Sequence, residues 1–87
     1  MVNKDLPATL KVLKNDAERG IPEAQNYLGM FYDRKSNSNV LAHMWYNLSG
    51  LQGHMDATRQ IQSIEKKMSQ EQIEQAQMMV ANWKPKQ

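Results

Sequence analysis

The chain has 87 residues, 40% hydrophobic and 23% charged, with a formal net charge of +2. That length suits one small domain, which buries roughly 60–65% of its unfolded surface on folding. No run nears the ~20 apolar residues of a membrane span, no apolar signal segment follows Met1, and the lack of cysteine excludes disulfides, thiolate metal sites and a cysteine nucleophile. These counts favour a cytoplasmic binding or scaffold protein over an enzyme.

Strand signals are missing, because period-2 alternation is absent and β-branched residues are sparse. The chain reads as five helices. The first is expected from Leu6 to Glu18, capped by Asp5, with Pro7 in its first turn and Gly20 past its end. Its apolar stripe is Leu6, Leu10, Leu13 and Ala17. The second starts at Pro22, with Glu23 near its positive N-terminal dipole, and ends near Asp33. Ala24, Leu28, Phe31 and Tyr32 form its stripe.

A polar break from Arg34 to Asn39 follows, where Ser38 or Asn39 can cap a third helix from Val40 to Gln52. Leu41, Met44, Trp45, Leu48 and Leu51 are its expected buried stripe, and Gly53 ends it. The fourth helix spans Met55 to Lys67, with Ala57, Ile61, Ile64 and Met68 inward. Ser69-Gln70-Glu71-Gln72 is a capping box for the fifth helix, and Met68 with Ile73 fits a hydrophobic staple. Ile73, Ala76, Val80 and Trp83 carry its inner face, Pro85 stops it, and Lys86-Gln87 reads as a tail.

The chain also matches itself. Gly20-x-x-x-Ala24 recurs as Gly53-x-x-x-Ala57, and at the same spacing Leu13 aligns with Tyr46, Leu28 with Ile61 and Phe31 with Ile64. Helix pairs repeating at this period indicate an α-solenoid of the tetratricopeptide type. Gly29 inside a helix costs ~1 kcal/mol against Ala, a cost that makes sense where another helix backbone packs on it. Ala24 and Ala57 allow close helix approach, and Tyr32 and Trp45 are large wedges beside them.

The segments Gly20-x-x-x-Ala24-Gln25-x-x-Leu28-Gly29-x-x-Tyr32 and Ala42-x-x-Trp45-Tyr46-x-x-Ser49-x-x-x-Gly53-x-x-x-Ala57 resemble a Sel-one-like repeat, a subclass of tetratricopeptide-like hairpins. The tail from Met68 to Lys86 resembles the closing helix of bacterial members. The resemblance implies a single domain over residues 1–87: a short all-α solenoid of antiparallel hairpins, best matched over residues 17–57 and closed by a capping helix over 69–84. It implies adaptor or regulatory roles in assembling complexes. Two features depart from the pattern: the loop Asp33–Asn39 lacks glycine, and Ser49-Gly50 replaces an alanine pair, which suggests an unusually close contact. Only one and a half repeats are present, while solenoids usually need three or more. The chain is therefore expected to be capped by its terminal helices, to associate with itself, or to belong to something larger. The starting Met and the closing helix fit a complete small protein.

No catalytic constellation stands out. His43 and His54 lack companion ligands and read as solvated, with no metal or cofactor expected. Glu71 and Glu74 suit a helix N-terminus. Ser49 and His43 fall on different faces, without an orienting carboxylate. Basic residues are scattered and interleaved with acids, as in Asp33-Arg34 and Glu65-Lys66, so no nucleic-acid footprint forms. Seven methionines add adaptable apolar surface. In such solenoids the first helix of each pair lines the concave face. Once the core stripes are removed, that face holds Asn26, Tyr27 and Met30, with Arg59, Gln60 and Ser63 at the equivalent positions. This mixture suits a peptide or protein partner. A self-associating homodimer without a separate groove ligand is the alternative.

Overall fold

The computed structural model describes the backbone of residues 2–35 and 38–86, and side chains from Thr9 onward within them. Among the described residues five helices follow one another: α1 (Val2–Glu18), α2 (Pro22–Arg34), α3 (Asn39–Leu51), α4 (Met55–Glu65) and α5 (Gln70–Asn82). Their ends match the sequence expectation within two residues, except that α1 begins at Val2 rather than Leu6. The side chains of Asp5, Leu6 and Pro7 lie outside the described residues.

Local chemistry sets most of these boundaries. Gly20 (φ 99°) and Gly53 (φ 91°) reverse the chain in the left-handed region, which a Cβ disfavours. Ile21 (φ −76°, ψ 117°) and His54 (φ −76°, ψ 109°) then take the same extended backbone before α2 and α4. The two turns thus have one shape. The capping box of α5 is complete: the Gln72 N–H donates to Ser69 Oγ at 3.1 Å, and the Ser69 N–H donates to Gln72 Oε1 at 2.9 Å. Ser38 precedes α3 without a side-chain cap. Its own N–H donates to the Tyr32 carbonyl at 2.8 Å. Ser36 and Asn37, within this connection, lie outside the described residues.

Consecutive helices from α1 to α4 pack as antiparallel-like neighbours, and α2 with α3 forms the most extensive contact. The fifth helix departs from that order. It barely touches α4 and lies instead on α3, which is therefore covered by α2, α4 and α5. One core cluster joins Ala17, Ala24, Leu28, Met44, Trp45 and Leu48, with Val80 and Trp83 of the C-terminal segment against it. A second joins Ala42, Tyr46 and Ile64, with Met30, Ile61 and Met68 packed around it.

Large residues fit against small ones across these contacts. A Cβ on Gly29 would stand 2.6 Å from Cδ1 of Tyr46, so the glycine makes room for an aromatic ring rather than for a helix backbone. The Ser49-Gly50 pair is a close contact, as expected. Ser49 Oγ donates to the Pro22 carbonyl at 2.8 Å, and a Cβ on Gly50 would lie 3.1 Å from Thr58 Oγ1.

Two expectations fail at the ends of elements. Leu51 is 72% exposed rather than buried. It is the last residue of α3, and there the inward contact passes to Gln52, whose Nε2 donates to the Gly20 carbonyl at 2.8 Å and to Gln25 Oε1 at 2.9 Å. Lys86 is not a loose tail. Its N–H donates to the Glu18 carbonyl at 2.7 Å, and its Nζ donates to Asn15 Oδ1 at 3.2 Å. Trp83 reaches this position by meeting Trp45 edge-on, with ring centroids 6.4 Å apart.

Gly29→Ala tests the fit between α2 and α3. Helix propensity alone would stabilise the variant by ~1 kcal/mol. Overpacking against the buried Tyr46 ring should outweigh this and leave a net loss of about 1–3 kcal/mol in urea unfolding. A neutral or more stable variant would show that the ring moves aside freely.

Candidate functional site

The outward side of α2 repeats at helical spacing as Tyr27, Met30, Phe31 and Arg34. Tyr27 is 59% exposed, an unusual position for so large an apolar ring. Opposite it, α1 contributes Thr9 and Leu13, and a shallow, largely apolar groove runs between the two helices. Arg34 and Lys35 stand at the C-terminal end of α2 and line the same groove. Neither cation has a carboxylate partner among the described residues.

The six residues expected on the concave face have different surroundings. Tyr27 and Met30 line the groove. Asn26, expected on open surface, is buried, and its Nδ2 lies 3.9 Å from the Met30 sulfur. It supports Met30 from beneath rather than facing solvent. On α4, Arg59 is exposed and pairs with Asp56 at 2.9 Å, Gln60 is half-buried, and Ser63 is exposed. No hydrogen bond or ion pair joins the α4 group to the α2 group among the described residues. The sequence reading missed Thr9, Leu13, Phe31, Arg34 and Lys35 as groove residues. Leu13 and Phe31 belong to the expected core stripes, yet both are only half-buried. The spacing of Tyr27, Met30, Phe31 and Arg34 on one helix face was the signal available.

Both histidines are structural, contrary to the solvated reading. His43 is fully buried, and its Nε2 lies 2.8 Å from Glu65 Oε2. The carboxylate accepts, so Nε2 carries the proton, while Nδ1 is buried without a partner among the described residues. The single apolar stripe of α3 predicts one buried face, but three helices cover it. Nδ1 of His54 accepts from the Ala57 N–H at 3.3 Å and caps α4. Glu71 lies in the first turn of α5, and Glu74 accepts from Gln70 at 3.3 Å. No group of three or more His, Asp or Glu among the described residues is placed to hold a metal ion. No helix among them is long and apolar enough to cross a membrane.

Asp33 closes the inner side of α2. It accepts from Tyr46 Oη at 3.2 Å and from Lys67 Nζ at 2.9 Å, linking α2 to α3 and to the segment after α4. Burial pushes the Tyr46 hydroxyl well above the ordinary tyrosine value of 10.0, and the charge and hydrogen bond of Asp33 push it further. The carboxylate of Asp33 is thus engaged inward, while Arg34 beside it lines the groove and its charge partly offsets the rise at Tyr46.

These features define a small five-helix domain with one exposed aromatic over an apolar groove. Comparison with protein families, curated proteins and solved structures finds no match.

Tyr46 gives a pH prediction with a definite sign. The unfolded chain releases this proton near pH 10.0, while the folded chain keeps it. The native state therefore binds more protons above that pH, and stability should fall as pH rises from about 10. Below it, the contribution is constant. Tyr46→Phe should cost about 0.5–1.5 kcal/mol at neutral pH through the lost hydrogen bond. It should also flatten the alkaline slope measured by urea unfolding at stepped pH.

Proposed function

We propose that the chain is a non-catalytic protein–protein interaction module, an adaptor or regulatory protein that takes a peptide or protein partner on the outward side of α2. The observation that carries this reading is Tyr27, exposed above the apolar groove that Leu13, Met30 and Phe31 line. An aromatic ring held on a rigid helix beside a concave apolar surface is the kind of anchor that concentrates binding energy in protein interfaces. The side chains with catalytic potential are occupied elsewhere. His43 pairs with Glu65, His54 caps α4, and Ser49 donates to a backbone carbonyl.

The same reading treats the domain as a short Sel-one-like solenoid. The matching turns at Gly20 and Gly53 support it, as do the buried alanines that follow each, Ala24 and Ala57. The seating of α5 on α3 suits a capping helix that closes an array too short to bury its own end.

A homodimer is the second reading. It is favoured by Leu51 and Met55, exposed at 72% and 67% near the α3–α4 turn. The two readings separate in one pair of measurements. Affinity capture with wild type and with Tyr27→Ala should show a partner held by the first and lost by the second, while light scattering shows a monomer. A partner retained equally by both would remove the α2 face from consideration. A tight dimer that hides Tyr27 would transfer the assignment to self-association.

A further inference from the structure

We infer that the groove between α1 and α2 takes a peptide segment in which a large apolar side chain stands next to acidic residues. This deepens the adaptor reading and rests on it. Three observations lead to this chemistry.

The floor and walls are apolar. Leu13, Met30 and Phe31 supply aliphatic, thioether and aromatic surface, and Tyr27 rises beside them with its ring in solvent. A methionine adapts to the shape of what it meets, and the contact of Asn26 Nδ2 with its sulfur at 3.9 Å gives it a fixed point below. Such a surface releases ordered water when a leucine, methionine or aromatic side chain covers it.

The charged side chains that line the groove among the described residues are of one sign: Arg34 and Lys35 stand at its end, and no described carboxylate lines it. The nearest acid in sequence, Asp33, is committed to Tyr46 and Lys67. Arg34 and Lys35 thus have no internal ion pair among the described residues to break when a ligand arrives. A carboxylate there gains attraction without the cost of displacing an existing partner. The net charge of the chain is only +2, so this end of the groove is a local feature rather than the edge of a broadly basic surface. That favours a short acidic motif over a polyanion, which would need cations spread along a face.

The groove and its cations come from rigid backbone. Tyr27, Met30, Phe31 and Arg34 share one helix, and α2 is pinned from behind by Tyr46 on Gly29 and by Ser49 on the Pro22 carbonyl. Apolar anchor and charge are therefore held at a fixed separation, so the order of apolar and acidic residues in the partner should matter as well as its composition.

The test is selection of short random peptides displayed on phage against the full immobilised chain at low salt. Affinities of the enriched peptides are then measured by fluorescence anisotropy. The expected peptides pair a large apolar residue with Asp or Glu in one preferred order. They should weaken about tenfold or more on Arg34→Glu/Lys35→Glu and on Tyr27→Ala, and should weaken with added salt. All three positions are exposed, and circular dichroism melting should show the variants folded. Neutral or basic peptides that depend on Tyr27 but ignore the charge reversal overturn the acidic class and leave the groove in place. No enrichment, or peptides indifferent to both variants, overturns this inference and the groove reading together. A sedimentation result showing a dimer that Tyr27→Ala dissolves overturns it in favour of a second copy of the chain.

Discussion

The contact of the Tyr46 ring with Gly29 is the constraint on which the rest of the domain depends. It sets how closely α2 and α3 approach, and it admits no side chain at the glycine. The ring carries a polar end, and the buried hydroxyl must find an acceptor. Asp33, four residues after Gly29 on the same helix, provides it and is held in turn by Lys67. One aromatic side chain therefore fixes the spacing of two helices, the rotation of α2, and the place where the chain leaves α4.

A second set of contacts fixes the opposite end of the same helices. Gln25 is fully buried, donates to the Ala17 carbonyl at 3.1 Å, and accepts from Gln52, which also donates to the Gly20 carbonyl. The carbonyls freed where α1 ends are thus satisfied by side chains of α2 and of the turn after α3. Lys86 adds a backbone donor to Glu18 at the same place. Helix ends are usually exposed to water. Here they are joined into a node that an apolar core could not supply, because the carbonyls there need donors.

With α2 locked from two ends and packed on α1 and α3, its free surface is the strip bearing Tyr27 and Arg34. The strip gains a recess because α1 crosses beside it, and it gains charge because Asp33 turns inward while Arg34 and Lys35 do not. The candidate site is thus a by-product of core packing. The interactions that hold Tyr46 engage Asp33, the acid adjacent in sequence to the cations at the end of the groove.

The helices were legible from sequence because their boundaries are local events. A left-handed turn requires Gly20 and Gly53, a capping box requires Ser69 and Gln72, and an apolar stripe at helical period marks the inner face. Tyr27 and Met30 were legible as candidate contacts for the same reason, since they lie off the stripe. Other features depend on how many neighbours a helix has, which periodicity does not encode. A stripe implies one buried face, yet α3 lies beneath three helices, so His43 is buried against Glu65. Leu51 belongs to the stripe, yet the core ends before it. The placement of α5 on α3, the return of Lys86 to α1, and the pairing of α1 with α2 into a groove all join residues far apart in the chain. Sequence by itself determined where the helices from α2 to α5 begin and end to within two residues, because hydrogen bonding and backbone conformation there are decided within a few residues. Only the tertiary structure decided which faces are covered and which side chains meet, because that follows from how the finished helices exclude water from one another.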